Sequence, residues 1–405
     1  MKHSRLLIIL LLLFVVSISS CTSKGSPELT EAALSDKDVT LAVEEAPTPT
    51  LIPVRHIAFA TSDTGIAHIY TIATDGSDQV RVSANEMAEG TFDYSPDRQF
   101  IVFEGYDESV GNSNIYRMNA DGSNVIQLTS RSQYEWNPIY SPDGSKILFM
   151  SQMGNTDYDI FVMNADGTGI INLSISPNLD VYPVWSPDST HIAYKSSTSL
   201  SDDKIFDSNT PVDAFIRVVN TDGSGGFKLI LPEGVSRPHF PQWSPDGSQL
   251  IFTCGSTLQQ PADADGLISV ENYQGICLAN ADGSNVHKIY DARVDVEASS
   301  VLYYPSPVWS PDGSKIAFVG LLEDNTTEIF IMDPDGNNPV QLTDDDLEVK
   351  REIIWSPDGS MMLFVTHEGS VLNRIFTVYS MLADGTGVTM LVQASKYNPF
   401  PIWID

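Results

Sequence analysis

From His56 onward, short apolar runs bounded by polar turns follow one another to the end of the chain. Lys315-Ile316-Ala317-Phe318-Val319 and Glu328-Ile329-Phe330-Ile331-Met332 are typical. Their nearly unbroken apolar character predicts strands buried on both faces, and no segment carries a long helical period. The turns between the runs also repeat. Trp or Tyr, then Ser-Pro-Asp, ends one run and opens the next, with the serine at 95, 141, 186, 244, 310 and 356. Proline pre-sets φ at the second position, Asp bonds the backbone, and the Gly that follows in most copies tolerates positive φ.

A second turn follows each such unit: RMNADGSN at 117–124, VMNADGTG at 162–169, VNTDGSGG at 219–226, LANADGSN at 278–285, IMDPDGNN at 331–338 and SMLADGTG at 380–387. Another copy, IATDGSDQ at 72–79, precedes the first Ser-Pro-Asp string. Asp-Gly favours a hairpin, and a short strand such as Val340-Gln341-Leu342-Thr343 completes the unit. Four antiparallel strands per repeat, in tandem, predict an all-β propeller. The surplus Asp-Gly copy is resolved if the strand at His56 and the strand at Ile402-Trp403 share one blade. The expectation is seven blades closed by strands from both termini, with six as the alternative. Wider spacing predicts insertions at Ser199–Asp213 and Gly255–Gln274, both as loops.

These strings resemble the TolB-type, or PD40, propeller repeat over about residues 54–405. The resemblance implies a cell-envelope propeller engaged in protein–protein contacts. TolB carries an additional N-terminal α/β domain; here a short tether is expected in its place. Related propellers precede serine hydrolase domains, but no GxSxG elbow occurs, so a peptidase is not expected.

Lys2, Arg5 and the apolar run Leu6–Ile18 predict a signal segment over 1–20, too short for a membrane span. Ile18-Ser19-Ser20-Cys21 resembles a bacterial lipoprotein signal, with Cys21 the lipidated residue. Residues 21–53, rich in Glu, Ser, Thr and Pro, are expected to be an acidic tether. The propeller is then 54–405. Cys254 and Cys277 fall in neighbouring predicted strands. They are candidates for a disulfide in an oxidising envelope, with buried free thiols as the alternative.

The chain carries 53 acidic and 22 basic residues among 405, a formal charge of −31. Such a surface repels phosphate backbones, so no nucleic-acid partner is expected. No HxH or HExxH pattern places histidines as metal ligands, and His191 occupies a structural slot. Asp344-Asp345-Asp346 and Asp263-Ala264-Asp265 leave Ca²⁺ open, but no cofactor is expected.

First strands line the central channel of a propeller, and the residues just before them rim its mouth. That rule selects Glu135, Trp136, Asp180, Tyr182, His239, Phe240, Tyr303, Tyr304, Lys350, Arg351, Glu352 and Tyr397, with Asn398 and Phe400 beside them. The set varies while the turns stay fixed, and it is rich in aromatics, as binding hot spots are. Two functions remain open. One is a non-catalytic envelope lipoprotein that binds a protein or peptide at the mouth. The other is a carbohydrate-binding or metal-dependent polysaccharide-degrading propeller, in which the aromatics would stack on sugar rings.

Overall fold

The computed structural model describes residues 54–404, apart from 63–65, 84–86, 109–110, 154–156, 175–177, 199–213, 260–269, 293–304, 323–325, 346, 348, 369–373 and 395–397. The expected signal, Cys21, the tether, the first insertion, Tyr303, Tyr304 and Tyr397 lie outside the described residues. Within them, the regular elements are strands.

The strands form five four-stranded sheets and one of eight. In one sheet, Ile402–Trp403 pairs with His56–Thr61, followed by His68–Ala73 and Val80–Arg81. The next runs from Ala88–Tyr94 through Phe100–Asp107 and Asn112–Asn119 to Ile126–Gln127. The eight-stranded sheet holds two antiparallel runs, over 135–172 and 179–228, joined by parallel pairing of Tyr158 with Leu179. The remaining sheets span 235–292, 308–341 and 350–394.

Successive side chains along a strand point to opposite faces, so a strand between two neighbours must be apolar throughout. In Phe100–Asp107, Ile101 and Phe103 pack with Ile57's sheet neighbours Ala58 and Ile69, whereas Val102 packs with Phe149 and Phe161 on the other side. Clusters of this kind join each consecutive pair of four-stranded runs. One more joins the last to the first, with Met361 and Leu363 against Ile57, Phe59 and Trp403. The order of packing is therefore cyclic, and the antiparallel pairing of Ile57 with Trp403 ties the two ends of the fold.

The repeated turns bond as their residue types require. At 310–315, the Ser310 hydroxyl donates to Asp312 at 2.7 Å and accepts the Lys315 N–H at 2.9 Å. Asp312 also accepts the Ser314 N–H, and Gly313 sits at φ 70°. Those bonds, that of Ser310 first, hold the Asp312 carboxyl down at about 2. In the Asp-Gly turns, Asp121 accepts the Ser123 N–H at 2.9 Å. Gly122 is required twice over: its φ is 81°, and a Cβ there would lie 2.0 Å from the Val82 carbonyl oxygen of the neighbouring sheet.

The second insertion departs from expectation. Over 255–274 the strands Gln249–Gln259 and Val270–Asn280 stay in register from Gly255–Gln274 out to Gln259–Val270. The described part of this insertion is thus a lengthened hairpin, because paired backbone satisfies its own donors and acceptors. Cys254 and Cys277 lie on these strands, both fully buried, and are joined by a disulfide with Cα atoms 5.9 Å apart.

Candidate functional site

Each first strand enters its Ser-Pro-Asp turn in extended form, but its other end is broken. Four residues before the turn serine the backbone is left-handed at Asn137, Tyr182, Phe240, Ser306 and Glu352, with φ between 41° and 57°. Phe400 holds the matching place in the closing strand, at φ 43°. The strand register shifts at this point, between Trp136 and Ile139, Val181 and Val184, His239 and Gln242, and Arg351 and Ile353. The same shift lies between Glu89 and Phe92, where Thr91 holds the place. These are β-bulges, which interrupt the ladder and re-aim a side chain. None of the left-handed residues is glycine, and each such residue costs about 1–3 kcal/mol that the surrounding packing must offset.

Three pairs of consecutive bulges touch. The Asn137 N–H donates to Thr91 Oγ1 at 2.7 Å. The rings of Tyr182 and Phe240 lie 4.4 Å apart, and Asn398 Nδ2 donates to Glu352. The bulges therefore form a row at the strand ends away from the repeated turns. Trp136 stands beside it, edge-on to Tyr158 at 4.8 Å.

Charged residues that open the first strands have a different place from the one expected. Glu135, Asp180, His239 and Lys350 are buried, not rim residues. The physical reason is that the strand start packs on the preceding sheet and bonds to it. Lys350 shows this most fully. Its ammonium contacts Glu328 at 3.0 Å and Asp345 at 2.8 Å and donates to the Thr327 carbonyl at 3.1 Å, while its own N–H donates to Thr327 Oγ1. Burial nevertheless raises the Glu328 carboxyl, even with Thr343 and Lys350 bonded to it. Glu135 lies 3.6 Å from the Arg131 guanidinium, and burial raises its carboxyl too. Glu89, in the equivalent position, accepts the Ile69 N–H at 3.0 Å.

Trp136, Tyr182, Phe240, Arg351 and Glu352 are half-buried and retain exposed surface. His239 is buried beside the Tyr182 and Phe240 pair, with ring centroids at 6.4 and 5.9 Å. Burial, then the charges of Lys195 and Arg237, push its imidazole well below the usual histidine range. The structure adds Thr91, Asn137, Ser306, Lys195 and Arg237 to the site. For Thr91, Asn137 and Ser306 the positional signal is distance from the turn serine, often with a proline one residue after the bulge, as in Asn137-Pro138 and Tyr182-Pro183.

Among the described residues, no group of three or more His, Cys, Asp or Glu is placed to hold a metal ion. At the turn end, a cavity of about 390 Å³ lies between two Ser-Pro-Asp turns, lined in part by Asp188, His191, Trp243 and Asp246.

Residues 43–158 match the family model described as the TolB beta propeller domain. No curated protein matches the chain. An oligogalacturonate lyase solved in complex with manganese is similar in structure, with TM-score 0.55, 15% identity, and coverage of 84% of this chain and 85% of that one. A puromycin-hydrolyzing peptidase of Mycobacterium tuberculosis gives TM-score 0.57 at 15% identity, covering 83% of this chain and 53% of that one. The tricorn protease gives 0.56 at 10% identity, covering 85% and 36%. At such identities the likeness shows a propeller fold and nothing about activity.

Proposed function

We propose, for a chain that carries the TolB-type propeller repeat, a seven-bladed ring acting as a non-catalytic cell-envelope lipoprotein, held to the membrane through Cys21. In this reading it binds a protein or peptide at the mouth formed by the first-strand bulges. The two halves of the eight-stranded sheet count as separate blades, because a single parallel pair joins them.

The observation that carries the reading is the row of bulges. Turn residues repeat because every copy does the same structural work. At the bulge the left-handed backbone conformation repeats while the side chain does not: Asn137, Tyr182, Phe240, Ser306, Glu352 and Phe400. A conserved aim with variable chemistry suits recognition of one asymmetric partner. Half-buried Trp136, Tyr182 and Phe240 supply the aromatic anchors that dominate such contacts.

The test is affinity capture from envelope extract. The bait is the full chain, run beside a Trp136→Ala, Tyr182→Ala, Phe240→Ala variant with an unchanged unfolding midpoint. A protein held by the first and lost by the second supports the reading. Equal capture by both places the binding surface elsewhere.

The same half-buried aromatic rings favour a second reading, a carbohydrate ligand stacked on them. Glycan binding that persists in chelator, with no protein captured, would favour a sugar-binding propeller. Loss of glycan cleavage on chelation would favour a metal-dependent degrading one.

A further inference from the structure

We propose that the cavity between the turns of Ser186 and Ser244 is a docking site for the guanidinium of an arginine in a partner polypeptide. It lies at the end of the ring that the mouth reading leaves as scaffold for its own partner, and it does not rest on that reading.

The cavity measures about 390 Å³ and is walled by Asp188 and His191 from one unit and by Trp243, Asp246 and Ala281 from the next. That volume suits a single side chain or small ligand. The Trp243 ring is half-buried, and its centroid lies 6.4 Å from that of His191. An indole face is the best aromatic partner for a cation.

Both aspartates are held in the charged form. Asp188 Oδ1 accepts the Ser186 hydroxyl at 2.6 Å, the Thr190 N–H at 3.0 Å and the Thr190 hydroxyl at 2.8 Å. Those bonds, that of Ser186 first, keep the carboxyl below the usual carboxylate range. All three fall on Oδ1, so the exposed carboxylate keeps Oδ2 for a ligand. Asp246 is lowered in the same way, first by the Ser244 hydroxyl at 2.6 Å.

Other units of the same fold point to the class of occupant. At the last Ser-Pro-Asp turn, the Asp358 carboxylate pairs with the Arg55 guanidinium, which comes from the next blade. A turn aspartate of this repeat therefore takes a guanidinium. The place of His191, five residues after the turn serine, holds Lys146 and Lys315 in two other units. The Lys315 ammonium contacts Asp333 at 2.6 Å. His191 instead engages the Thr190 hydroxyl at 2.7 Å through Nδ1. Asp188 and Asp246 thus share a cavity with a tryptophan and have no Lys or Arg paired to them among the described residues. A planar guanidinium stacks on an indole while its edge donates to a carboxylate, which a compact ammonium does less well. The formal charge of −31 draws cations toward the whole surface.

Fluorine NMR of the full chain carrying 5-fluorotryptophan tests this, with the Trp243 resonance assigned by Trp243→Phe. The probes are acetyl-arginine-amide, its neutral isostere acetyl-citrulline-amide, acetyl-lysine-amide and free arginine. The arginine amide should shift that resonance saturably, and the citrulline amide should bind about tenfold more weakly or worse. The lysine amide should bind about threefold more weakly. Free arginine should also be weaker, because its own carboxylate meets two aspartates. Asp188→Asn keeps the turn acceptor and should weaken the arginine amide about fivefold. His191→Lys installs the side chain that two other units carry, and should weaken it about tenfold by supplying a cation from within. That second variant keeps the proposal testable if Asp188→Asn fails to fold. No saturable shift, equal binding of the citrulline amide, or indifference to both substitutions overturns the proposal. Equal binding of the lysine amide overturns the guanidinium assignment, and equal binding of free arginine overturns the polypeptide source.

Discussion

Asp93 carries a carboxylate into the interior, where it accepts the Tyr140 N–H of the adjoining sheet at 2.8 Å. Burial raises it from 3.8 to about 7, against the opposing effect of its backbone bonds. Its folded value exceeds its unfolded one, so the stability it contributes is complete below about pH 4 and is lost as pH rises toward 7. Asp93→Asn keeps an acceptor and removes the charge. The variant should therefore gain on the parent protein steadily between pH 4 and 8, measured as the difference in unfolding midpoint. His367 works in the other direction. Burial, then Arg351 and Arg374, lower it to about 4, so its contribution is present above about pH 6.5 and lost as pH falls toward 4. At the turns, Ser310→Ala leaves the Lys315 N–H without its acceptor, at an expected cost of about 1–3 kcal/mol by denaturant unfolding. The turn residues were legible in the sequence because Ser, Pro, Asp and Gly each act within five positions. The burial of Glu135, Asp180 and Lys350 was not legible. A charged residue at a strand start looks like a rim residue until the preceding sheet is known to bond it.

At the scale of elements, strand number and strand order followed from the turns, and the unbroken apolar runs announced two-sided burial. The bulges left a fainter trace. Left-handed backbone usually announces itself through glycine, but here the positions hold Asn, Tyr, Phe, Ser and Glu. Their one local mark is a proline that often follows, as in Asn137-Pro138 and Tyr182-Pro183. The hairpin of Gln249–Gln259 and Val270–Asn280 is longer than the spacing suggested, and it carries the Cys254–Cys277 bridge beside the strand that holds Arg237 and His239. Cys254→Ala with Cys277→Ala should cost roughly 3 kcal/mol of stability, from a closed loop of 23 residues' separation. An unfolding midpoint unchanged by the double substitution, or by reductant on the parent protein, would show the bridge to be without consequence.

On the scale of the molecule, closure was read from an arithmetic mismatch between two kinds of turn, and the pairing of Ile57 with Trp403 bears that part out. Trp403 is buried, packs with Leu363 and Phe59, and donates its indole N–H to the Ile354 carbonyl at 3.2 Å. Trp403→Ala should therefore cost about 3–5 kcal/mol, as large aromatic truncations in cores do. The loss should appear as exchange of amides in both Met361–Glu368 and His56–Thr61, since one side chain secures both sheets. In the mouth reading proposed above, one end of the ring binds and the other is scaffold. Hydrogen–deuterium exchange of the full chain, with and without its captured partner, tests it most directly. New protection is predicted in peptides covering 133–137, 179–183, 235–240 and 350–353, with none at the turns 95–99 and 310–315. Protection confined to those turns, or to outer strands such as Val340–Gln341, would contradict the account.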